Sequence, residues 1–487
     1  MKFRRIVLVI FLILVGASLI YALMDKRDVT TSSDKAYEAY RQGIELSYRL
    51  YNREALQQFE QAVKLDPNFA MAYARMAWLY QSFDRKEDYQ AARQKALSLL
   101  DRVKEKEKLQ INFGFARADG RKADIDKYKM ELLDRYPNSL EALDMVCSDA
   151  FAKMNYDEAI QANLKIIEMD PNYAMAYNLL GYSYFYKGDY DKALEYIDKY
   201  SSIAKDQANP HDSHGELLLY MGRYDEALEQ FRKADSIKPD LHFVLSHIGD
   251  TYKEKGMFRD AIGAYLKAAE FSPNEKTRCN IEDNIAICYV QSLQNEKAIS
   301  LLKEVIEKTP DDLKANALLG DIYTRQGDMD DALVQLGIVK GLTSQAIDNG
   351  EYSDYDKTMM RSAENYLLAK ISVARGDYKD AIWRFTSLYS ISHQPDKNFF
   401  AVLCGDALLK AEMPDSAIGM MTAALKLNPN TAGCLKVLAD AYGKLGRRDA
   451  QKGALARYLE VMKDADDKNP SVESALAQME QLNKKNM

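Results

Sequence analysis

Proline is scarce, with 11 in 487 residues, and 47% of the chain is hydrophobic against 29% charged. That balance excludes an intrinsically disordered protein. Cysteine is equally sparse. The five residues Cys147, Cys279, Cys288, Cys404 and Cys434 are an odd number, so they cannot all pair within one molecule, and no disulfide framework is indicated. Cys279 and Cys288 stand nine apart, whereas zinc sites of this kind pair ligands about two to four residues apart. A positive excess is also missing. Net charge is −7, and Lys2, Arg4 and Arg5 account for three positive charges in the first five residues. The remainder therefore sums to −7 − 3 = −10. A body of that sign has no basic stripe for phosphates, which argues against nucleic-acid binding.

Catalytic motifs are absent as well. No nucleophile elbow, phosphate loop or metallopeptidase helix occurs, so the chain is expected to be no enzyme, with no catalytic residue and no cofactor. There are five histidines. His211 and His214 flank Asp212 on one helical face and could supply metal ligands, but they fall where neighbouring segments carry Tyr177 and Leu180, or Leu245 and Ile248. Packing is the simpler account, and no metal is expected.

What the chain does have is an interval. Ala159, Ala193, Ala227 and Ala261 stand 34 residues apart. Around each, an aromatic and a charged residue precede and apolar residues follow, as in Gly-Arg-Tyr-Asp-Glu-Ala-Leu-Glu-Gln-Phe-Arg-Lys-Ala at 222–234, closed by Pro239. Gly43, Gly181, Gly215, Gly249 and Gly320 mark close-approach points on one helix of a pair, and Ala55, Ala193, Ala227, Ala261, Ala298 and Ala332 mark them on the other. Prolines 67, 137, 171, 239, 273, 310 and 429 stop the second helices, since proline cannot donate the helical hydrogen bond.

A 34-residue period with this signature resembles the tetratricopeptide repeat family of stacked helix pairs. The resemblance implies an all-α, right-handed superhelical solenoid and about twelve repeats by the family's template. It covers roughly 36–460, closely over 174–340 and weakly over 70–137, where Tyr89 replaces alanine and 106–137 lacks the small sites. The array is read as 36–340, an acidic insertion or hinge at 341–361, and a second sub-array at 362–460. Residues 471–487 carry Val472, Ala475, Leu476, Met479 and Leu482 on one stripe, a capping helix over the last apolar face.

At the other end, residues 1–5 form a basic stub and 6–24 an uncharged run, followed by a linker at 25–35. Nineteen residues reach across a bilayer core, and the basic stub favours a cytoplasmic N-terminus. The sequence therefore predicts a transmembrane signal-anchor with the repeats extracytoplasmic, or periplasmic in a bacterium. A cleaved signal and a secreted body is the alternative.

In the resembled family the outward positions of the first helices line a concave groove. Carried onto this sequence, they give an aromatic wall of Tyr40, Trp78, Phe151, Tyr182, Phe185, Tyr186 and Tyr220, then a mixed-charge stretch through Asp250, Lys253, Asp321, Arg325, Lys370, Asp406, Lys410, Lys436 and Asp440. The lysine–asparagine clamp by which some members hold peptide C-termini is not matched: its sites read Tyr40/Ile44, Asn178/Tyr182, Ser246/Asp250 and Lys436/Asp440. The expected function is a membrane-anchored, non-catalytic scaffold for partner proteins or peptides. An exported glycan- or peptide-binding module is the alternative, since aromatic walls give large contact area at low entropy cost.

Overall fold

The computed structural model describes residues 29–348, 354–393, 396–426 and 428–484. Among the described residues it is all helical, with 26 α-helices, a single 3-10 turn and no strand. The helices run in antiparallel pairs and form a tetratricopeptide-like solenoid.

The pairing follows from volume. A Cβ built on Gly43 would come 2.6 Å from Phe59, on Gly215 2.6 Å from Phe231, and on Gly249 2.6 Å from Tyr265. In each case the bulky partner lies sixteen residues on, in the second helix of the same pair. Glycine is required there because the ring occupies the volume a side chain would need. Ala55, Ala193, Ala227, Ala261, Ala298 and Ala332 are all fully buried.

Each first helix ends in a left-handed residue that reverses the chain. Twelve such turns occur among the described residues, at Leu50, Asp84, Gly120, Met154, Gly188, Gly222, Gly256, Leu293, Gly327, Gly376, Glu412 and Gly446. Residues 70–137, where the repeat pattern is weakest, also fold as two helix pairs: Ala70–Ser82 with Lys86–Ser98, and Glu105–Ala118 with Lys122–Arg135. Between the last two sub-arrays, one helix runs from Met329 to Asp348 and a short one from Asp354 to Met360. The final helix, Pro470–Lys484, buries Ala475 and packs Val472, Met479 and Leu482 on the preceding core, while Leu476 is half exposed.

The chain divides into two compact bodies, Met1–Leu179 and Leu180–Met487. In the N-terminal body one apolar cluster runs from Val29 to Phe115, and smaller ones follow through Phe113 and Cys147. The C-terminal body has its largest cluster between Ala317 and Ala475. Buried cysteines act as small apolar residues throughout.

The C-terminal body also folds back on itself. The loops after Leu219 and Lys253 meet loops some 206 residues later. Tyr224 donates to the Asn430 carbonyl at 3.2 Å, and the Asn430 amide donates to the Gly222 carbonyl at 2.9 Å. One repeat further on, the Asp466 amide donates to the Gly256 carbonyl at 3.1 Å, and Lys255 bridges Asp225 at 2.6 Å and Asp464 at 2.8 Å. This clasp joins two successive rungs to two others.

The expected single-pass membrane placement is corrected. Among the described residues no helix is long and apolar enough to cross a membrane. The helices are short and bury one stripe against neighbours, leaving charged residues on the other, whereas a span needs about 20 apolar residues. The run 6–24, on which the signal-anchor, the extracytoplasmic or periplasmic body and the secreted alternative rested, lies outside the described residues. Those placements are withdrawn.

Candidate functional site

The seven aromatic residues read from the sequence separate into two groups. Tyr182, Phe185, Tyr186 and Tyr220 belong to the C-terminal body and come together on the first helices of two successive repeats. Glu216 organises them. Its carboxylate accepts from the Tyr182 hydroxyl and, at 2.5 Å, from the Tyr220 hydroxyl. Tyr182 and Glu216 are 34 residues apart, so they occupy the same position in consecutive repeats. Burial, with the Glu216 charge second, pushes both phenols well above their ordinary range. Both remain protonated donors at any physiological pH.

Phe185 forms the base of this group. Its ring centre lies 5.5 Å from Tyr186, 5.3 Å from Tyr190 and 5.8 Å from Tyr220, and only 4% of its surface is exposed. It supports the wall rather than facing outward, because Tyr190 of the second helix closes over it. Tyr182, Tyr186 and Tyr220 are half-buried, and Tyr186 meets His393 edge-on at 5.7 Å.

The other three lie in the N-terminal body. Tyr40 is buried between Phe59 at 5.7 Å and Phe69 at 5.0 Å. Trp78 is half-buried and packs on Phe115 at 6.0 Å, and a Cβ at Gly114 would overlap its ring. Phe151 is edge-on to Tyr156 at 5.7 Å.

The mixed-charge stretch resolves into discrete clusters. Asp321 receives Arg325 at 2.8 Å, Lys370 at 3.1 Å and the Tyr366 hydroxyl at 2.7 Å. Burial pushes the Lys370 ammonium below its ordinary value. Asp250 holds Lys253 at 2.9 Å and accepts from Tyr265 at 2.7 Å. Lys436 pairs with Asp440 at 2.7 Å. Asp406 is exposed at its tip, and desolvation by the surrounding chain pushes its carboxyl up.

The His211–Asp212–His214 triplet goes to three separate partners. His211 Nδ1 meets Gln230 at 2.9 Å, His214 Nδ1 lies 3.7 Å from Asp198, and Asp212 pairs with His247 at 2.9 Å. Burial alone would lower His247, but the Asp212 carboxylate overrides it, and the His247 pKa rises to about 10. Glu216 and the pairing of Asp212 with His247 escape the sequence reading. The signal available for Glu216 is its place one period after Tyr182 and one before Asp250.

With this geometry in view, family comparisons agree on the class. Three profiles, each described as tetratricopeptide repeat, match residues 162–195, 212–241 and 290–339. The chain is a tetratricopeptide repeat protein. Proteins of this family are generally non-catalytic scaffolds that bind other proteins or peptides.

No curated protein matches the sequence. Among solved structures, a crystal structure of MamA protein is 21% identical over 35% of this chain and 91% of its own, with a TM-score of 0.29. Yeast Tom70 is 14% identical over 93% of this chain and 96% of its own, with a TM-score of 0.39. The P58(IPK) TPR domain is 19% identical over 70% of this chain and 98% of its own, with a TM-score of 0.23.

Proposed function

We propose that this protein is a non-catalytic adaptor that holds an extended segment of a partner protein against the first-helix wall around Tyr182, Tyr186 and Tyr220. The observation that carries the reading is the Glu216 carboxylate fixing two phenols at once. Their rings are thereby pre-set as flat, half-buried contact surfaces, with little side-chain entropy left to lose on binding. Tyrosines whose hydroxyl protons are already committed to Glu216 suit a peptide backbone, which offers apolar edges to the rings and N–H donors to the phenol oxygens.

Site-specific photo-crosslinking tests it. A benzophenone side chain at Tyr220 should join the full chain to a discrete partner, and one at Leu266, which is exposed on a second helix, should not. Equal crosslinking from both positions, or none from Tyr220, would contradict the proposal.

A further inference from the structure

The solvent face of the repeats changes character at two consecutive second helices, Met329–Asp348 and Tyr378–Ile391. Six residues past the buried alanine of the second helix, earlier repeats carry a charge: Lys165, Lys199, Lys233, Lys267 and Glu304. The helix Met329–Asp348 has Ile338 there. Two residues past the alanine, earlier repeats carry Gln161, Glu195, Glu229, Gly263 and Ser300. Here the same position is Val334, and in the following second helix it is Trp383. A stripe that is solvated elsewhere is therefore apolar at this point. Val334 is 59% exposed, Ile338 40% and Trp383 62%. Gly337 and Gly341 lie on the same stripe, and among the described residues nothing comes within 4 Å of where their Cβ atoms would stand. Large side chains left in water on one continuous face mark a contact surface.

The two helices share one register. Ala332 and Ala381 are both fully buried. Tyr366 of the later pair donates to Asp321 of the earlier one at 2.7 Å, so the insertion between the pairs does not interrupt their stacking. Counted from the two alanines, Val334 matches Trp383, Gly337 matches Thr386, and Ile338 matches Ser387. Two residues before the alanines, Asp330 matches Lys379, and both are exposed. The indole of Trp383 has a fixed neighbour. Arg384 is held by Asp380 at 2.7 Å and Asn365 at 2.8 Å, and its guanidinium carbon lies 5.5 Å from the ring centre.

We propose that this face pairs with the same face of a second copy of the chain, about a two-fold axis running parallel to the two helices. Such an axis lays Met329–Asp348 of each copy over Tyr378–Ile391 of the other. Because the registers coincide, Val334 meets Trp383 of the second copy, and Asp330 meets Lys379 of the second copy, each contact occurring twice. Gly337 falls against Thr386 and Ile338 against Ser387, residues small enough for the helices to approach closely. The patch thus carries its own complement, apolar at the centre and oppositely charged at the rim. That self-matching selects a second copy over an unrelated partner. The pairing is separate from the peptide-binding reading, which uses first helices.

Sedimentation velocity of the full chain over the micromolar range tests the proposal. A monomer–dimer equilibrium is expected. Val334→Glu combined with Trp383→Glu should abolish the dimer and leave the helical circular dichroism unchanged, since both side chains are exposed. Asp330→Lys alone and Lys379→Asp alone should each raise the dimer Kd at least about tenfold, because two attractive contacts become repulsive. The two reversals together restore opposite charges and should bring the Kd back toward that of the parent.

A chain that stays monomeric throughout, a dimer indifferent to the two glutamates, or assembly beyond a dimer would overturn the proposal. So would a double reversal that dimerises no better than the single ones. Crosslinking from Tyr220 reads the adaptor function independently, so the two can fail separately.

Discussion

The Tyr224 hydroxyl donates to the backbone carbonyl of Asn430 across 206 residues of sequence. Asn428 donates to the same hydroxyl at 3.3 Å, and the phenol is fully engaged. Ordinary repeats in a solenoid touch only their neighbours, so this contact ties together parts of the C-terminal body that the chain alone would leave independent.

Gly222 is the sensitive point of the clasp. Its φ is +74°, and a Cβ there would overlap the Asn428 side chain. Gly188 has φ +83° with nothing within 4 Å. Gly188→Ala should therefore cost only the left-handed backbone penalty of about 1–2 kcal/mol, whereas Gly222→Ala should add loss of the clasp. Hydrogen exchange would show it: faster exchange around 222–224 and 428–430 is expected for Gly222→Ala alone, and equal behaviour of the two variants would contradict the packing described.

The His247–Asp212 pair makes stability depend on pH. His247 has a folded pKa raised to about 10 from an unfolded value of about 6.5. Its contribution is therefore complete below about pH 6.5 and is lost as pH climbs toward 10. Asp212 is itself pushed up by burial despite its partner, which acts in the same direction, since a raised carboxyl also favours the protonated, lower-pH side. Asp250 and Glu216 are the other charges facing the imidazole. Urea unfolding from pH 6.5 to 10 should show a decline on the order of 2 kcal/mol that His247→Gln flattens. The same slope in both proteins would remove His247 from the account.

Phe185 and Tyr220 should respond differently to truncation. Phe185→Ala removes a buried ring and should cost about 3–5 kcal/mol. Tyr220→Phe keeps the ring and leaves Glu216 bonded to Tyr182, so a change near 1 kcal/mol is expected. Denaturant midpoints for the pair would decide it, and a harmless Phe185→Ala would return that ring to the groove.

Leu293 offers a gain. It sits at φ 60° and is 70% exposed, in the turn where seven of the other repeats use glycine. Leu293→Gly should stabilise by about 1 kcal/mol by relieving the left-handed penalty. Its melting temperature should rise, and a fall would mean that the Leu293 side chain itself makes a stabilising contact.

Much of this is legible in the one-dimensional pattern. Gly43 with Phe59, Gly215 with Phe231 and Gly249 with Tyr265 repeat one local volume constraint, and sixteen residues is short enough to be read from sequence. Phe185 falls off the exposed wall because its burial depends on Tyr190 and Tyr220, on other helices. The clasp is invisible for a stronger reason: each repeat adds a small rotation, and only the accumulated total brings Gly222 to Asn428. The membrane placement fails because it rests on 6–24 alone, with nothing in the repeats to support it.

Repeat arrays ordinarily tolerate gain or loss of whole units, because each rung needs only the next. Here Gly222 meets Asn428 and Gly256 meets Met462 at the same offset, so the intervening segment is counted. Insert one 34-residue unit between 257 and 427, and Asn428 moves a full rung away from the glycine shaped to receive it. Lineages of this protein should therefore vary in length outside that interval and hold it constant within, a pattern of permitted and forbidden duplications that no single repeat could impose.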